Sequence, residues 1–304
     1  LQSHVSLNVS GLIINHMNRL GTVPVGGSNP VRIMGIINTS PESFYKKSIF
    51  TEKKTIAKTA KQMEEDGTDF IDIGGMSTAP YLKTLISENK EIQRVTNAIE
   101  SIQKVSRLPI SVDTCRASVA KAALELGVEI INDISGLKYD KDMPYILEEY
   151  QPSIIVCAFS KKPVSGNQVI QTRNLLRQSI AIAKKVRIPH HKIVVDPAIG
   201  FFRKKAVGRF FTKINSDWFK RDVLVLQNLC FIKNKYPTLV SVSRKSFVGR
   251  LLNESDPEQR LYGSLGAEVI AVVNGADIIR THNVKATRDA ITIAQRLGNF
   301  RKGL

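Results

Sequence analysis

Cysteine is scarce: Cys115, Cys157 and Cys230 are the only three in 304 residues, with no CxxC and no histidine at ligand spacing. That argues against a disulfide framework or a zinc site and leads us to expect a reducing, cytoplasmic setting. Long apolar runs are missing too. No stretch of 18 apolar residues occurs, so no membrane-spanning helix is expected. The opening residues, Leu1-Gln-Ser-His-Val-Ser6, lack the basic start and apolar stretch of a secretory signal, and a start at Leu1 instead of methionine suggests a processed or trimmed chain. No glycine-rich dinucleotide fingerprint follows the first apolar run, which weighs against a Rossmann fold. Acidic residues number 27 against 44 basic ones, a net charge of +17. Such charge suits phosphate binding, but it is spread along the chain and no aromatic residues are interleaved with it for base stacking. The expectation is a field that draws in a phosphorylated small molecule, with no nucleic-acid and no membrane partner.

What is present is a regular alternation. Eight short β-branched apolar runs occur at 32–37, 69–73, 108–112, 129–131, 153–157, 192–195, 239–242 and 276–279. Eight segments of helical periodicity follow them, at 51–66, 87–105, 116–126, 145–150, 170–186, 218–235, 257–274 and 284–297. Unbroken apolar strands separated by helices predict parallel strands covered by helices. Eight such units in one chain predict an α/β protein, a (β/α)8 TIM barrel spanning 31–304. Gly67, Gly127 and Gly275 fall after helices and before strands, where helix C-caps need positive φ. Residues 1–30 read as a short N-terminal appendage, a candidate for closing the barrel's bottom.

In such barrels the chemistry sits at the C-terminal ends of the strands. Polar residues fall there repeatedly: Asn38, Asp72 and Thr78, Asp113, Asn132, Asp196, Lys245, and Arg280 with His282. Any one of them could be a strand terminator or helix cap; seven loops presenting such groups together point to a site. Lys245 and the Arg280/His282 pair form the cluster that binding and expelling a polyphosphate requires, since alternate residues of one strand share a face.

Met34-Gly-Ile-Ile-Asn-Thr-Ser-Pro-Glu-Ser-Phe44, Asp72-Ile-Gly-Gly-Met-Ser-Thr-Ala-Pro80, Ser111-Val-Asp-Thr114, Ile131-Asn-Asp133, Asp196-Pro-Ala-Ile-Gly-Phe201, Ser243-Arg-Lys-Ser-Phe247 and Arg280-Thr-His282 stand in this order. Together they resemble the dihydropteroate synthase family, the pterin-binding transferases of folate biosynthesis, over nearly the whole barrel. The resemblance implies that an arylamine such as p-aminobenzoate displaces pyrophosphate from 6-hydroxymethyl-7,8-dihydropterin pyrophosphate. It implies a pterin read by Asp113, Asn132, Asp196 and Lys245, and pyrophosphate held by Asn38, Thr78, Arg280 and His282. It further implies an arylamine beside Thr78, Phe201, Ser243 and Lys245, a Mg²⁺ on Asn38, and a homodimer. The chemistry agrees: carboxylates accept the N–H groups of a pterin edge, an Asn amide both donates and accepts, and Arg clamps phosphate bidentately.

The chain departs from the family pattern in several places. Ala79 replaces the arginine of the second signature, Met76 stands in place of its glutamate, and Tyr81 in place of its glycine. The usual Gly-Ile-Gly-Phe-Gly-Lys is here Ala198-Ile-Gly-Phe-Phe-Arg203, followed by Lys204 and Lys205. Glu42 and Tyr45 vary the first loop, and Cys157-Ala-Phe159 departs from the usual Met-His-Met. The first-loop variant is similar to archaeal members, some of which use an arylamine carrying a ribosyl phosphate; Arg203, Lys204 and Lys205 are the residues to meet such a phosphate. A related pterin-binding methyltransferase domain is the alternative, although it has no need of the Lys245, Arg280 and His282 cluster.

Overall fold

The Val- and Ile-rich runs fold as buried parallel strands because they lack the polar alternation that would leave one face in water. The computed structural model describes residues 17–41, 49–80 and 84–298; Glu42, Tyr45, Tyr81 and residues 1–16 lie outside them. A hairpin opens the described chain, β1 (Arg19–Leu20) against β2 (Val23–Pro24). Then come β3 (Arg32–Asn38), α1 (Lys53–Glu65), β4 (Phe70–Gly74), α2 (Glu88–Gln103), β5 (Ile110–Asp113) and α3 (Ala117–Glu125). The middle of the chain forms β6 (Ile130–Asp133), α4 (Met143–Tyr150), β7 (Ser153–Cys157), α5 (Gln168–Lys185) and β8 (Ile193–Asp196). A small ribbon, β9 (Phe202–Arg203) with β10 (Thr212–Lys213), precedes α6 (Trp218–Gln227) and α7 (Leu229–Lys233). The chain ends with β11 (Leu239–Val240), α8 (Ser246–Leu252), α9 (Leu261–Val273), β12 (Ile278–Thr281) and α10 (Val284–Leu297).

The large sheet runs β11-β12-β3-β4-β5-β6-β7-β8, with every pairing parallel. A bridge between Val195 and Thr238, with Val195 N donating to Pro237 O at 2.9 Å, brings the last strand round to the first. The fold is the expected (β/α)8 barrel.

Two-residue alternation sorts each strand into a helix-facing and an interior set. Ile33, Ile71, Val112, Ile131, Ile154 and Val195 join the cluster under the helices. Met34, Phe70, Ile130, Ile155, Val194, Leu239 and Ile278 form a separate cluster inside the barrel, completed by Leu20 and Val25 of the N-terminal hairpin. The described part of the appendage thus stoppers the barrel. One step of the alternation beyond this apolar floor come Ile36, Asp72, Asn132, Asp196 and Arg280. The polar site is the next interior layer.

Gly67, Gly127 and Gly275 have φ of +88°, +81° and +99°, as their positions after helices require. The helix expected over 218–235 is interrupted at Asn228, whose Nδ2 donates to Leu224 O at 2.7 Å; a side chain bonding four residues back competes with the helical ladder. The α8 helix and the β9/β10 ribbon were not expected. Both are too short to carry a readable period.

Candidate active site

Arg280 stands at the centre of the barrel's mouth. Its Nε donates to Asp72 Oδ2 at 2.6 Å and its Nη2 to Asp113 Oδ2 at 2.9 Å. Burial alone would lower the guanidinium's pKa, but the two carboxylates outweigh it and hold it above its ordinary value. Asp113 keeps a second oxygen, Oδ1, that is buried without a hydrogen-bond partner among the described residues, as is Asp72 Oδ1. A buried acceptor without a donor is unfavourable by about 1–3 kcal/mol, so it favours any ligand that brings an N–H to it. β5 and β6 pair in register, setting Asp113 beside Asn132, and β7 pairs with β8 to set Cys157 beside Asp196.

Asp196 Oδ1 accepts from Ala198 N at 2.7 Å. Lys245 comes from the loop after β11; its Nζ donates to Ile199 O and lies 4.5 Å from the centre of the Phe201 ring. Gly200, at φ +90°, lets the loop pass under this lysine, since a Cβ there would come within 2.9 Å of Lys245 Cδ. Ser243 Oγ lies 3.1 Å from His282 Nδ1. Asn38 ends β3 on the interior face, and its Oδ1 fills the space a side chain at Gly74 would need, 3.1 Å from the Cβ position there. The structure therefore gathers Asp113, Asn132, Asp196, Lys245, Asn38, Arg280, His282, Ser243 and Phe201 at one end of the barrel. Thr78 lies apart from the aspartates, on a cavity beneath the second loop.

Burial above all pushes the Asp113 carboxyl up to about 7; Arg280 opposes this, while Asp72 and Asp133 add to it. Burial lowers Lys245 to about 8 against the pull of Asp196, and it raises Asp196 against the pull of Lys245. His282 falls to about 3, chiefly through burial and then through Arg280, so its ring is neutral. The sign for Asp113 follows: the folded state holds this proton more tightly than the unfolded chain, so stability without ligand decreases as pH rises from about 4 toward 7. A ligand that needs the Asp113 carboxylate and the Lys245 ammonium together should bind best between about 7 and 8. Pterin affinity titrated by fluorescence across pH is expected to trace that bell, with the acid limb lost in Asp113→Asn. A flat profile would contradict the assignment.

Several residues that hold this site were missed in the sequence. Arg221 of α6, fully buried, donates to Pro197 O at 2.7 Å, Ala198 O at 3.1 Å, Thr172 Oγ1 at 3.0 Å and Asp222 Oδ1 at 2.9 Å. Asp222 Oδ2 in turn accepts from Gly200 N at 3.1 Å. The pair clamps the loop that carries Asp196, and the signal was two charged residues one turn before the buried Val225 and Leu226. Arg244, between Ser243 and Lys245, donates to Asn283 Oδ1, Pro257 O and Glu258 O and so ties the loops after β11 and β12 together. Glu91 accepts from Arg116 at 2.8 Å and Thr114 at 2.9 Å beneath the loop after β5.

One expectation needs correction. Arg203 does not offer its charge to a ligand: its side chain is 11% exposed, stacks 4.2 Å from the Trp218 ring and donates to Phe202 O. Near Asp222, at 3.7 Å, it fastens the base of the ribbon. Only Lys204 and Lys205 of that turn are exposed.

Ala198, where the family pattern has glycine, holds φ +56°. A left-handed alanine is unfavourable by about 1 kcal/mol relative to glycine. Ala198→Gly is therefore expected to stabilise the fold by about that amount, read from the urea midpoint. A midpoint that does not rise would contradict the strain.

An interior layer of carboxylates and an amide beside a fixed cation, at the C-terminal ends of the strands, is the layout of a barrel enzyme's active site. Comparison with known proteins gives this class its family. Residues 34–282 match the description of pterin-binding enzymes. Dihydropteroate synthase of Synechocystis sp. is 31% identical over 273 residues, covering 87% of this chain and 89% of that protein. That of Bacillus subtilis is 34% identical over 254 residues, covering 83% and 84%. A solved dihydropteroate synthase of Coxiella burnetii in complex with pteroic acid superimposes with TM-score 0.78 at 34% identity, covering 92% of this chain and 98% of the other. The chain belongs to the pterin-binding enzyme family, among the transferases of the dihydropteroate synthase type.

Proposed function

We propose that this protein is a dihydropteroate synthase, joining p-aminobenzoate or a related arylamine to the methylene carbon of 6-hydroxymethyl-7,8-dihydropterin pyrophosphate and releasing pyrophosphate. The observation that carries the reading is the buried, unpartnered Asp113 Oδ1 in a layer shared with Asn132 and Asp196. The pterin edge donates to Asp113 and Asp196 and exchanges hydrogen bonds with Asn132, while Lys245 donates to the ring carbonyl and ring nitrogen. Phe201, Lys245, Ser243 and Thr78 border the arylamine.

The arylamine nitrogen bonds to the methylene carbon as the carbon–oxygen bond breaks. The bonding pair leaves with pyrophosphate, and the nitrogen sheds one proton. Negative charge grows on the leaving group, so donors aimed at it stabilise the transition state more than the ground state. Arg280 has five donors and gives Nε and Nη2 to carboxylates, which leaves Nη1 for phosphate. The neutral His282 meets Ser243 Oγ through Nδ1 at 3.1 Å, and the tautomer that accepts there carries its proton on Nε2, the donor assigned to the leaving group. No side-chain nucleophile is required, because positioning does the rest.

A Mg²⁺ suits the single neutral oxygen that Asn38 offers beside Gly74, since this ion keeps most of its ligands as waters and phosphate oxygens. When bound, it would neutralise charge on the departing pyrophosphate. Exposed Leu251, Leu252, Tyr262, Ile270 and Val273 on α8 and α9 suit a homodimer contact. The appendage and the barrel are read as one functional unit, with the site wholly in 31–304.

The acceptor is, in our reading, of the larger archaeal kind, because the chain's departures fall mainly on the arylamine side and Lys204 and Lys205 of the basic turn are exposed. Assaying p-aminobenzoate against an arylamine bearing a ribosyl phosphate, with the same pterin pyrophosphate, tests it. The phosphorylated amine is expected to have the higher kcat/KM. A clear preference for p-aminobenzoate would leave the synthase activity standing and discard the larger acceptor. Methyl transfer to a corrinoid without pyrophosphate release would instead favour the methyltransferase alternative.

A further inference from the structure

The ribbon formed by β9 and β10 carries a tip that closes over the second loop. Val207 N and Gly208 N both donate to Pro80 O at 2.9 Å. Contact is so close that a Cβ at Gly208 would stand 3.2 Å from Ala79 O. Ala79 itself is 9% exposed beneath this cover. The alanine and the ribbon tip are therefore in direct contact. Between them lies a cavity of 320 Å³ lined by Thr78, Ala79, Leu85, Val207, Arg209 and Phe210. Arg209 is exposed and makes no ion pair among the described residues, whereas Arg203 at the ribbon's base is committed to Trp218 and Asp222.

We propose that Arg209 is the specificity-determining cation of the acceptor side, pairing with the anionic end of the arylamine from the ribbon tip that covers Ala79. The cavity's walls are otherwise apolar or hydroxylic, as an aromatic ring with a single charged end requires. The carboxylate of an aminobenzoate and the phosphate of a larger acceptor offer a guanidinium the same fork of oxygens. The ribbon that carries Arg209 also holds the site's Phe201, since Thr212 N donates to Phe201 O at 2.9 Å. This inference rests on the synthase reading above.

The test is steady-state kinetics of wild type, Arg209→Ala and Arg209→Lys with three amines: p-aminobenzoate, a ribosyl-phosphate arylamine and the uncharged 4-methylaniline. In Arg209→Ala, KM for at least one charged amine is expected to rise about tenfold with kcat little changed. The amine that loses more identifies which anion the residue meets. KM for 4-methylaniline and for pterin pyrophosphate should hold, and Arg209→Lys should recover part of the loss. A merely structural role would raise KM for charged and uncharged amines alike, and that result would overturn the proposal. So would charged-amine KM values within twofold of wild type. Wild type inactive with every amine would overturn the synthase reading, and this inference with it.

Discussion

Arg280→Ala is expected to lower kcat by about 10²–10³-fold, the loss usual when one donor to a developing anion is removed. The same change should destabilise the fold by about 3–5 kcal/mol, because it strands Asp72 and Asp113 without their counter-charge. The two effects separate by measurement. Urea unfolding reads the second, and single-turnover pyrophosphate release at saturating substrate reads the first. Arg280→Lys keeps a cation but not the fork that reaches both carboxylates at 2.6 and 2.9 Å, so it should restore stability better than rate. A kcat within tenfold of wild type in Arg280→Ala would remove Arg280 from leaving-group stabilisation. The resemblance divided the site into pterin readers and pyrophosphate holders. The geometry joins them, because Arg280 holds Asp113 before any ligand arrives.

Asp196→Asn should weaken pterin binding by about 1–3 kcal/mol, roughly 5- to 150-fold in Kd. Asparagine can still accept from Ala198 N, so the loop bond at 2.7 Å survives. What changes is the second oxygen, replaced by an N–H₂ that meets the pterin's own N–H donors. Burial already disfavours the Asp196 charge, so stability should move little. Calorimetric titration with the pterin pyrophosphate checks the binding, and equal Kd values for the two proteins would count heavily against the assignment. A loss of binding accompanied by a lowered urea midpoint would point instead to damage of the loop.

The barrel was legible because its signal is repeated. Each strand is a short apolar run, each helix a long periodic one, and Gly67, Gly127 and Gly275 mark the turns between them. The reacting layer was legible for a related reason: Asp113, Asn132, Asp196 and Arg280 each end an apolar run, where the strand's alternation forces them inward. What holds that layer was not. Arg221 and Asp222 lie in a helix that reads as amphipathic, and their partners, the Pro197 and Ala198 carbonyls and the Gly200 N–H, are 22 to 24 residues away in sequence. Arg244 sits in the midst of the lysine motif and looks like a ligand group until its bonds to Asn283, Pro257 and Glu258 are seen. Arg203 misled in the same way: a basic triplet has no pattern that says which member turns inward onto Trp218. Sequence locates charges, but the hydrogen bonds that commit them are long-range.

The ribbon illustrates the same limit from the other side. Its two-residue strands have no period to detect, yet it covers Ala79 and brings Arg209 to the cavity that Thr78 and Ala79 line. A substitution that looks like a loss in one loop is paired with a gain in another.

Turnover itself tests the central claim most directly. Purified protein with Mg²⁺, 6-hydroxymethyl-7,8-dihydropterin pyrophosphate and an excess of p-aminobenzoate or its ribosyl-phosphate counterpart is followed for both products. The pterin–arylamine conjugate and pyrophosphate are expected in equal amounts, with neither conjugate nor catalytic pyrophosphate release in the absence of the amine. Pyrophosphate release that is independent of the amine, or no conjugate with either acceptor, would contradict that claim.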